Sequence, residues 1–403
     1  MAAILDGIRV LSWTVWLAGS GATAFLGDLG AEVIKIEQPK RGDIMRGLME
    51  VERFNLAIPQ HPDRNAGFEY ANRNTKSITL DLSQETGRQV LFRLLPQTDV
   101  FFTNMCQTAQ KFGLDYISLR QYNPRLIYGA LTGYGSRGPD RAQAGYDPQG
   151  LAKSGLMHRM GNPPQLPQFA ILDQATALMA SYGIVEALLA RERTGQGQEV
   201  ECSLLSTGIS LLAGNLMVAS LTGKEFPFHD RTNTSNPMRN YYCCADGKWV
   251  LGAHTPPDWY WPHFCRALGI EHLEHDPRFE DTEKRKENSR ELVHILDQIF
   301  ASRSREEWIK RFKEFPELSF MPINTVTDVL DDPQALANDY ITTYDHPILG
   351  KIRYPAFPVE FRDTPARFYG PAPELGQHTE EVLQAMADYT WEEITQLRDA
   401  GII

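Results

Sequence analysis

Cysteine is scarce in this chain, positive charge is outnumbered, and long apolar runs are missing. The five cysteines, Cys106, Cys202, Cys243, Cys244 and Cys265, are an odd count with no CxxC spacing in 403 residues. They predict neither a disulfide framework nor a zinc module, and they fit a reducing compartment. Lys and Arg number 40 against 51 Asp and Glu, a formal net charge of −11. That balance argues against a nucleic-acid partner and against a polybasic membrane binder, but an anionic ligand can still be held by local charge. No uninterrupted apolar stretch approaches the roughly 18–20 residues that span a bilayer. The opening residues, MAAILDGIRVLSW, carry an acid where a signal peptide would carry positive charge. The expected location is the cytoplasm, with no membrane partner.

What is present is ordinary globular composition, 42% apolar and 23% charged. A mass of 45.6 kDa favours two domains over one core. The first 200 residues alternate between strand-like and helix-like stretches. IRVLSW (8–13), EVIKIE (32–37), SITLDL (77–82), DVFFTN (99–104) and RLIYGALTGYG (125–135) read as strands. AGSGATAFLGDLG (18–30) reads as a helix, as does QETGRQVLFRLL, with Ser83 as its N-cap. This alternation predicts crossover units on a parallel sheet, whose ligand lies at the carboxyl ends of the strands. A long helix over 174–192 and a strand EVECSLL follow. From about 219 the texture changes, with a hairpin expected around Asp246-Gly247 and helices over 258–315, including a Ser304/Glu307 capping box. The α/β texture resumes near 321–345, and Thr390 with Glu393 caps a last helix. The predicted organisation is a large α/β domain, 1–218 and 330–403, interrupted by a small α+β domain, 219–329.

Several motifs invite a chemical reading. Gly19-Ser20-Gly21-Ala22-Thr23-Ala24 satisfies a dinucleotide fingerprint, with Glu37 ending the next strand. Glu37, however, lies 18 residues past the first glycine, short of the expected interval of about 20. Five residues also separate the strand end from that glycine, so a tight turn of small packing residues is the better reading. His272 with His275, and His254 with His263, lack the converging partners a zinc site needs, and no metal is expected. Cys106 follows a strand end but has no histidine tied to it, which favours a buried small hydrophobe. No G-x-S-x-G elbow is present. Asp173 stands between an apolar stretch and the long helix, in FAILDQATALM. It could be an N-cap accepting backbone N–H groups, or a nucleophile held ionised and aimed by the helix terminus. The residues alone leave both open.

Read in order, LDGIRVLSWT, LAGSGATAFLGDLGAEVIKIEQP, NRNTKSITLDL, NPRLIYGALTGYGSRGP, AGYDPQGLAKSGLM, ALLARERTGQGQEVECSLL, CCADGKWV and LGQHTEEVL resemble the family III coenzyme A transferases. This is the formyl-CoA and carnitine CoA-transferase group, and the resemblance covers nearly the whole chain. It implies a Rossmann-like parallel-sheet domain with an inserted smaller α+β domain, in an intertwined ring-like dimer of identical or paralogous subunits. It also implies an acyl-CoA donor such as succinyl-CoA, a carboxylic acid acceptor, coenzyme A as substrate, and Asp173 as the nucleophile carrying an aspartyl-CoA thioester.

The resemblance further assigns CoA contacts to Val15, Trp16, Leu17 and Ala18 after the first strand. Gln38 stands where the family places a basic residue, so Lys40 or Arg41 would take that contact. Asn72, Arg73 and Thr75 are assigned to the adenine and diphosphate, Asn104 and Met105 to the pantetheine, and Lys111 to a charge beyond it. Tyr146 occupies the place of the catalytic histidine of the related α-methylacyl-CoA racemases. With an ordinary pKa near 10 a tyrosine is a poor α-proton base, which favours transfer over racemisation. The glycine-rich loop of formyl-CoA transferases is replaced by NTSNPMRN, which argues against oxalate and formate. Trp13, Trp16, Met157 and Phe169 point to a bulky, aromatic or otherwise apolar acid. The alternatives are a racemase-like enzyme and a non-catalytic subunit of a heteromeric transferase.

Overall fold

The segment RVLSW forms β1 (Arg9–Trp13), buried along nearly its whole length, as a strand covered on both faces must be. A computed structural model describes residues 2–51 and 53–403. Helix α1 (Trp16–Asp28) returns the chain to β2 (Glu32–Glu37). A longer excursion then ends in α2 (Ala66–Ala71) and β3 (Thr75–Thr79). Next come α3 (Glu85–Leu94), β4 (Val100–Thr103), α4 (Cys106–Phe112) and β5 (Ile127–Thr132). Helices α5 (Asp147–Ser154) and α6 (Ile171–Thr194) lead to β6 (Glu199–Ser203). The six strands form one sheet in the order 3-2-1-4-5-6, and every neighbouring pair is parallel. This is the expected Rossmann-like α/β sheet, with its order reversing between β1 and β4.

Two local expectations need correction. The third strand leaves the ladder at Thr79, earlier than SITLDL predicts, because Asp81 N–H turns to the Ile402 carbonyl (2.8 Å). Ser83 does not cap α3. Its N–H and hydroxyl both donate to Asp81 Oδ1, at 3.0 and 2.6 Å, and the helix starts at Glu85 without a side-chain cap. Helix α1 is buried on nearly all sides, since one flank meets the sheet and another meets α6.

After β6 the chain forms α7 (Leu204–Leu211) and α8 (Ala213–Thr222) and enters a separate unit, Pro227–Ala337. There β7 (Tyr241–Cys243), β8 (Trp249–Gly252) and β9 (Phe320–Ile323) make an antiparallel sheet. The hairpin expected at Asp246-Gly247 joins the first two. Helices α9 (Pro257–Leu268), α10 (Ser289–Phe300) and α11 (Arg305–Phe312) complete this unit, and Ser304 and Glu307 form the expected capping box. Its core centres on Phe300, whose ring stacks on Tyr242 at 4.4 Å.

The first unit resumes at Asn338 with a hairpin, β10 (Ile341–His346) and β11 (Gly350–Pro355). Helices α12 (Thr379–Ala387) and α13 (Trp391–Asp399) close the chain, the latter capped by Thr390 and Glu393 as expected. Their Val382, Leu383, Met386, Ile394 and Leu397 share one core cluster with Leu91 and Leu94 of α3.

Candidate active site

Where the strand order reverses, the loops after β1 and β4 diverge and open a crevice at the carboxyl edge. The two loops are clasped together. Val15 N–H donates to Asn104 Oδ1 (3.0 Å), and Asn104 Nδ2 donates to the Val15 carbonyl (2.6 Å). This clasp explains the first glycine of GSGATA, because a Cβ at Gly19 would lie 2.8 Å from Asn104 Cγ. The whole motif lies inside α1 and serves packing, in agreement with its spacing.

At the first position of α1, Trp16 adopts φ +63°, a left-handed conformation that bulky side chains rarely take. Its N–H donates to Asp43 Oδ1 (3.1 Å). Asp43 in turn accepts from Lys35 Nζ (2.7 Å), and both side chains are almost wholly buried, at 0% and 1% exposure.

The crevice opens into a cavity of about 1110 Å³. Trp16, Leu17, Met45, Leu48, Phe54 and Leu56 line one part of it, and Met105, Leu131, Leu166 and Phe169 another. Gly133 and Gly145 let two wall loops meet, since a Cβ on Gly145 would fall 2.5 Å from Gly133 Cα. The cavity's charged lining, among the described residues, is Arg141, Asp147 and Asp173.

Asp173 is the third residue of α6 rather than its N-cap, a position held by Ala170. The second and third N–H groups of that helix go instead to Asp147, whose Oδ2 accepts from Leu172 (2.7 Å) and Asp173 (2.9 Å), while Ile171 N–H goes to the Phe169 carbonyl (2.9 Å). Asp147 performs the capping that the sequence left as one option for Asp173. Among the described residues the Asp173 carboxylate has no hydrogen-bond partner, and it faces the cavity. Burial, and then the charge of Asp147, push its carboxyl from the ordinary 3.8 up to about 7. A second carboxylate, Asp147, takes the helix donors that would otherwise favour the ionised form of Asp173. Asp147 is also raised, mainly by burial, with its two backbone donors opposing the shift. Beside this pair, Gln174 Oε1 accepts from Tyr70 of α2 (3.1 Å).

Of the residues singled out in the sequence, Trp16, Leu17, Ala18, Asn104, Met105, Tyr146 and Asp173 line this one cavity. Val15 stands behind it, bonded through its backbone to Asn104. Tyr146 is 50% exposed and meets Trp16 edge-on, with ring centroids 6.2 Å apart. Lys40 and Arg41 are exposed on the loop leaving β2 at the same edge, outside the cavity wall. Lys111 is exposed on the last turn of α4.

The structure does not bring Asn72, Arg73 and Thr75 to this edge. Asn72 and Arg73 precede β3 and Thr75 is its first residue, so all three lie at the opposite, amino edge, where Thr75 pairs with Val33 near the start of β2. Arg73 is buried, donating to both Asp28 oxygens (3.0 and 2.5 Å) and to the Tyr70 carbonyl (2.7 Å). Asn72 donates to the Phe68 carbonyl (3.1 Å) and Thr75 to the Arg73 carbonyl (3.1 Å). The loop that does leave β3 at the carboxyl edge is 80–84.

Among the aromatic and sulfur side chains, Phe169 lines the cavity. Trp13 belongs to the core beneath the sheet, and Met157 packs on Leu151, Leu172 and Leu204. Cys106 lines the cavity with its thiol pushed up to about 11 by burial, which makes it inert. Sequence reasoning missed Asp147, although the Asp-Pro step opening α5 is a helix-start signal and marks a second carboxylate there.

Comparison with known proteins adds four findings. The model of CoA-transferase family III matches residues 5–379. The succinyl-CoA:glutarate CoA-transferase of Mus musculus is 34% identical over 406 residues, 99% of this chain and 90% of that protein. The cinnamoyl-CoA:phenyllactate CoA-transferase of Clostridium sporogenes is 31% identical, covering 98% and 96%. The crystal structure of a CAIB/BAIF family protein from Brucella suis superposes with a TM-score of 0.84 at 30% identity, over 96% of this chain and all of that one.

Proposed function

The chain belongs to CoA-transferase family III, and from that premise we propose that it moves CoA from an acyl-CoA donor to a free carboxylic acid through a thioester on Asp173. The observation that carries this reading is the Asp173 carboxylate. It faces a large apolar cavity with no hydrogen-bond partner among the described residues, while the Leu172 and Asp173 N–H groups of the helix start are taken by Asp147.

The Asp173 oxygen attacks the acyl-CoA carbonyl, the C–S bond breaks, and a mixed anhydride and CoA thiolate result. The thiolate then attacks the aspartyl carbonyl, forming a C–S bond and releasing the donor acid as its carboxylate. An acceptor carboxylate repeats the two steps in reverse and leaves as its CoA ester. One thioester is exchanged for another, so no external energy source is required, and covalent catalysis divides the exchange into accessible steps. A carboxyl raised to about 7 is more basic than an ordinary one, hence a stronger nucleophile in its ionised form.

The binding face follows from the same loops. Once Trp16 N–H is given to Asp43, the next N–H groups of α1, on Leu17 and Ala18, have no partner within the helix. They offer donors to the thioester or to a developing oxyanion. Asn104 and Met105 border the pantetheine, while Lys40, Arg41 and Lys111, exposed around this edge, attract the phosphates. The apolar walls formed by Leu56, Leu166 and Phe169 suit a bulky acid, aromatic ones included, with succinyl-CoA as a donor. A dimer, built from two copies or with a paralogous subunit, and a cytoplasmic location complete the proposal.

Mass spectrometry of the protein incubated with succinyl-CoA tests it. A CoA adduct on the Asp173 peptide, removed by hydroxylamine and by an acceptor acid, is the expected result. Transfer that proceeds with no adduct on Asp173, or exchange of an α-proton in deuterated water without any acceptor, would overturn it.

A further inference from the structure

We propose that Trp16 is a specificity-determining wall of the cavity and that Asp43 is the positioning residue that holds it there. This rests on the CoA-transfer reading above and adds to it the part that selects the acid.

The starting observation is the backbone outlier. Trp16 carries one of the largest side chains at φ +63°, where a glycine would sit without strain. Strain of this kind persists only where the surroundings over-determine it, and it collects at functional sites. Both flanks are fixed here. Val15 is clasped to Asn104 by its own N–H and carbonyl, and Trp16 N–H is held by Asp43 Oδ1 at 3.1 Å.

Asp43 is itself immobilised from several directions. Its Oδ2 accepts from Lys35 Nζ at 2.7 Å and from Ser20 Oγ at 3.3 Å. Oδ1 also accepts from Met45 N–H at 3.0 Å, and Asp43 N–H donates to Glu37 Oε2 at 2.9 Å. Lys35 Nζ has Ser20 Oγ, at 2.7 Å, as its other partner. A buried ion pair is a poor source of stability compared with apolar packing, so its worth here lies in geometry. The product of that geometry is the direction of the indole. Trp16 meets Tyr146 edge-on, and both line the cavity that Asp173 also lines. A residue at 16 with an ordinary backbone would turn this wall elsewhere and change the space beside the nucleophile.

The test uses the full chain with two acceptor acids, propionate and 3-phenylpropionate, and succinyl-CoA as donor. Trp16→Gly suits the left-handed backbone and removes the wall. The ratio of kcat/KM for the larger acid over the smaller should change at least about tenfold. Asp43→Ala should change that ratio in the same direction, and should add little in the Trp16→Gly background, because it acts through Trp16. Should Asp43→Ala fail to fold, the paired Asp43→Asn, Lys35→Met variant removes the buried charges but keeps an oxygen for Trp16 N–H, and should keep the wild-type ratio. An unchanged ratio in Trp16→Gly, or independent effects of the two sites, would overturn the proposal. Thermal melting reads the same coupling without activity. The loss in Tm on Asp43→Ala should be smaller in the Trp16→Gly background than in Trp16→Phe, and equal losses would refute the pinning. Absence of transfer to any acid by the wild type, with this coupling intact, would count against the CoA-transfer reading and not against the pinning.

Discussion

Two carboxylates, Asp28 at the amino edge of the central sheet and Asp173 at the carboxyl edge, are placed in opposite ways. At the amino edge Arg73 and Asp28 are buried together, and both Asp28 oxygens and two further acceptor and donor groups, the Tyr70 carbonyl and the Asn74 amide, are engaged. At the carboxyl edge Asp173 is left without a partner beside a second carboxylate, and Trp16 is held in a strained backbone. Paired charge fixes geometry, in Arg73–Asp28 at one edge and Lys35–Asp43 at the other, whereas the Asp173 carboxylate, without a partner among the described residues, keeps reactivity available. The difference teaches that a buried charge is informative only together with its partners.

The sharpest way to break this contrast is to remove one charge from each edge. Asp173→Ala should lower CoA transfer by at least about 10³-fold with an unchanged fold, since the covalent route is lost. Steady-state kinetics and circular dichroism together would show it. Arg73→Ala should instead destabilise the protein by about 3–5 kcal/mol, because Asp28 is left buried and unpaired. Urea unfolding measures that loss, and a large rise in KM for acyl-CoA at full stability would return Arg73 to the cofactor site.

The Asp173 carboxyl also couples stability to pH. The Asp173 carboxyl is raised from 3.8 to about 7, so between those values the folded chain holds a proton that the unfolded chain has lost. Stability therefore falls as pH rises from about 4 to about 7 and stays lower above. Asp173→Asn escapes that loss and should be more stable than wild type by up to about 4 kcal/mol at pH 8, with no advantage at pH 4. The same titration predicts that kcat/KM declines below about pH 7, as the nucleophile becomes protonated. Asp147→Asn keeps an oxygen for Leu172 and Asp173 N–H but removes a negative charge, so the midpoint should move down by on the order of one pH unit or less. A midpoint moving upward would refute the electrostatic account.

The smallest effect is expected at the exposed cations. Lys111→Ala should raise KM for acyl-CoA by about two- to fivefold, more at low salt, with kcat and Tm unchanged.

Much of the fold was legible because parallel strands and crossover helices carry strong local signals. EVIKIE coincides with β2, and both expected capping boxes, Ser304/Glu307 and Thr390/Glu393, are formed. The carboxyl-edge residues 15–18, 104, 105 and 146 were legible through family resemblance, since each sits where a strand or a helix boundary places it. Asn72, Arg73 and Thr75 were misplaced, because a loop rich in polar residues looks alike whether it enters a strand or leaves it. Asp147 was missed because its partner, the α6 terminus, is 25 residues away in sequence.

By itself the sequence determined the alternating α/β plan, the family and the single aspartate on which the chemistry is proposed to turn. Those depend on local periodicity and on the order of motifs, which a linear chain carries in full. The tertiary structure decided that Asp147, not Asp173, caps α6, that Arg73 is consumed by Asp28, and that Trp16 is forced into the cavity wall. Each of these is a competition for hydrogen-bond partners between segments far apart in the chain, and only folding settles which group receives the partner and which is left free to react.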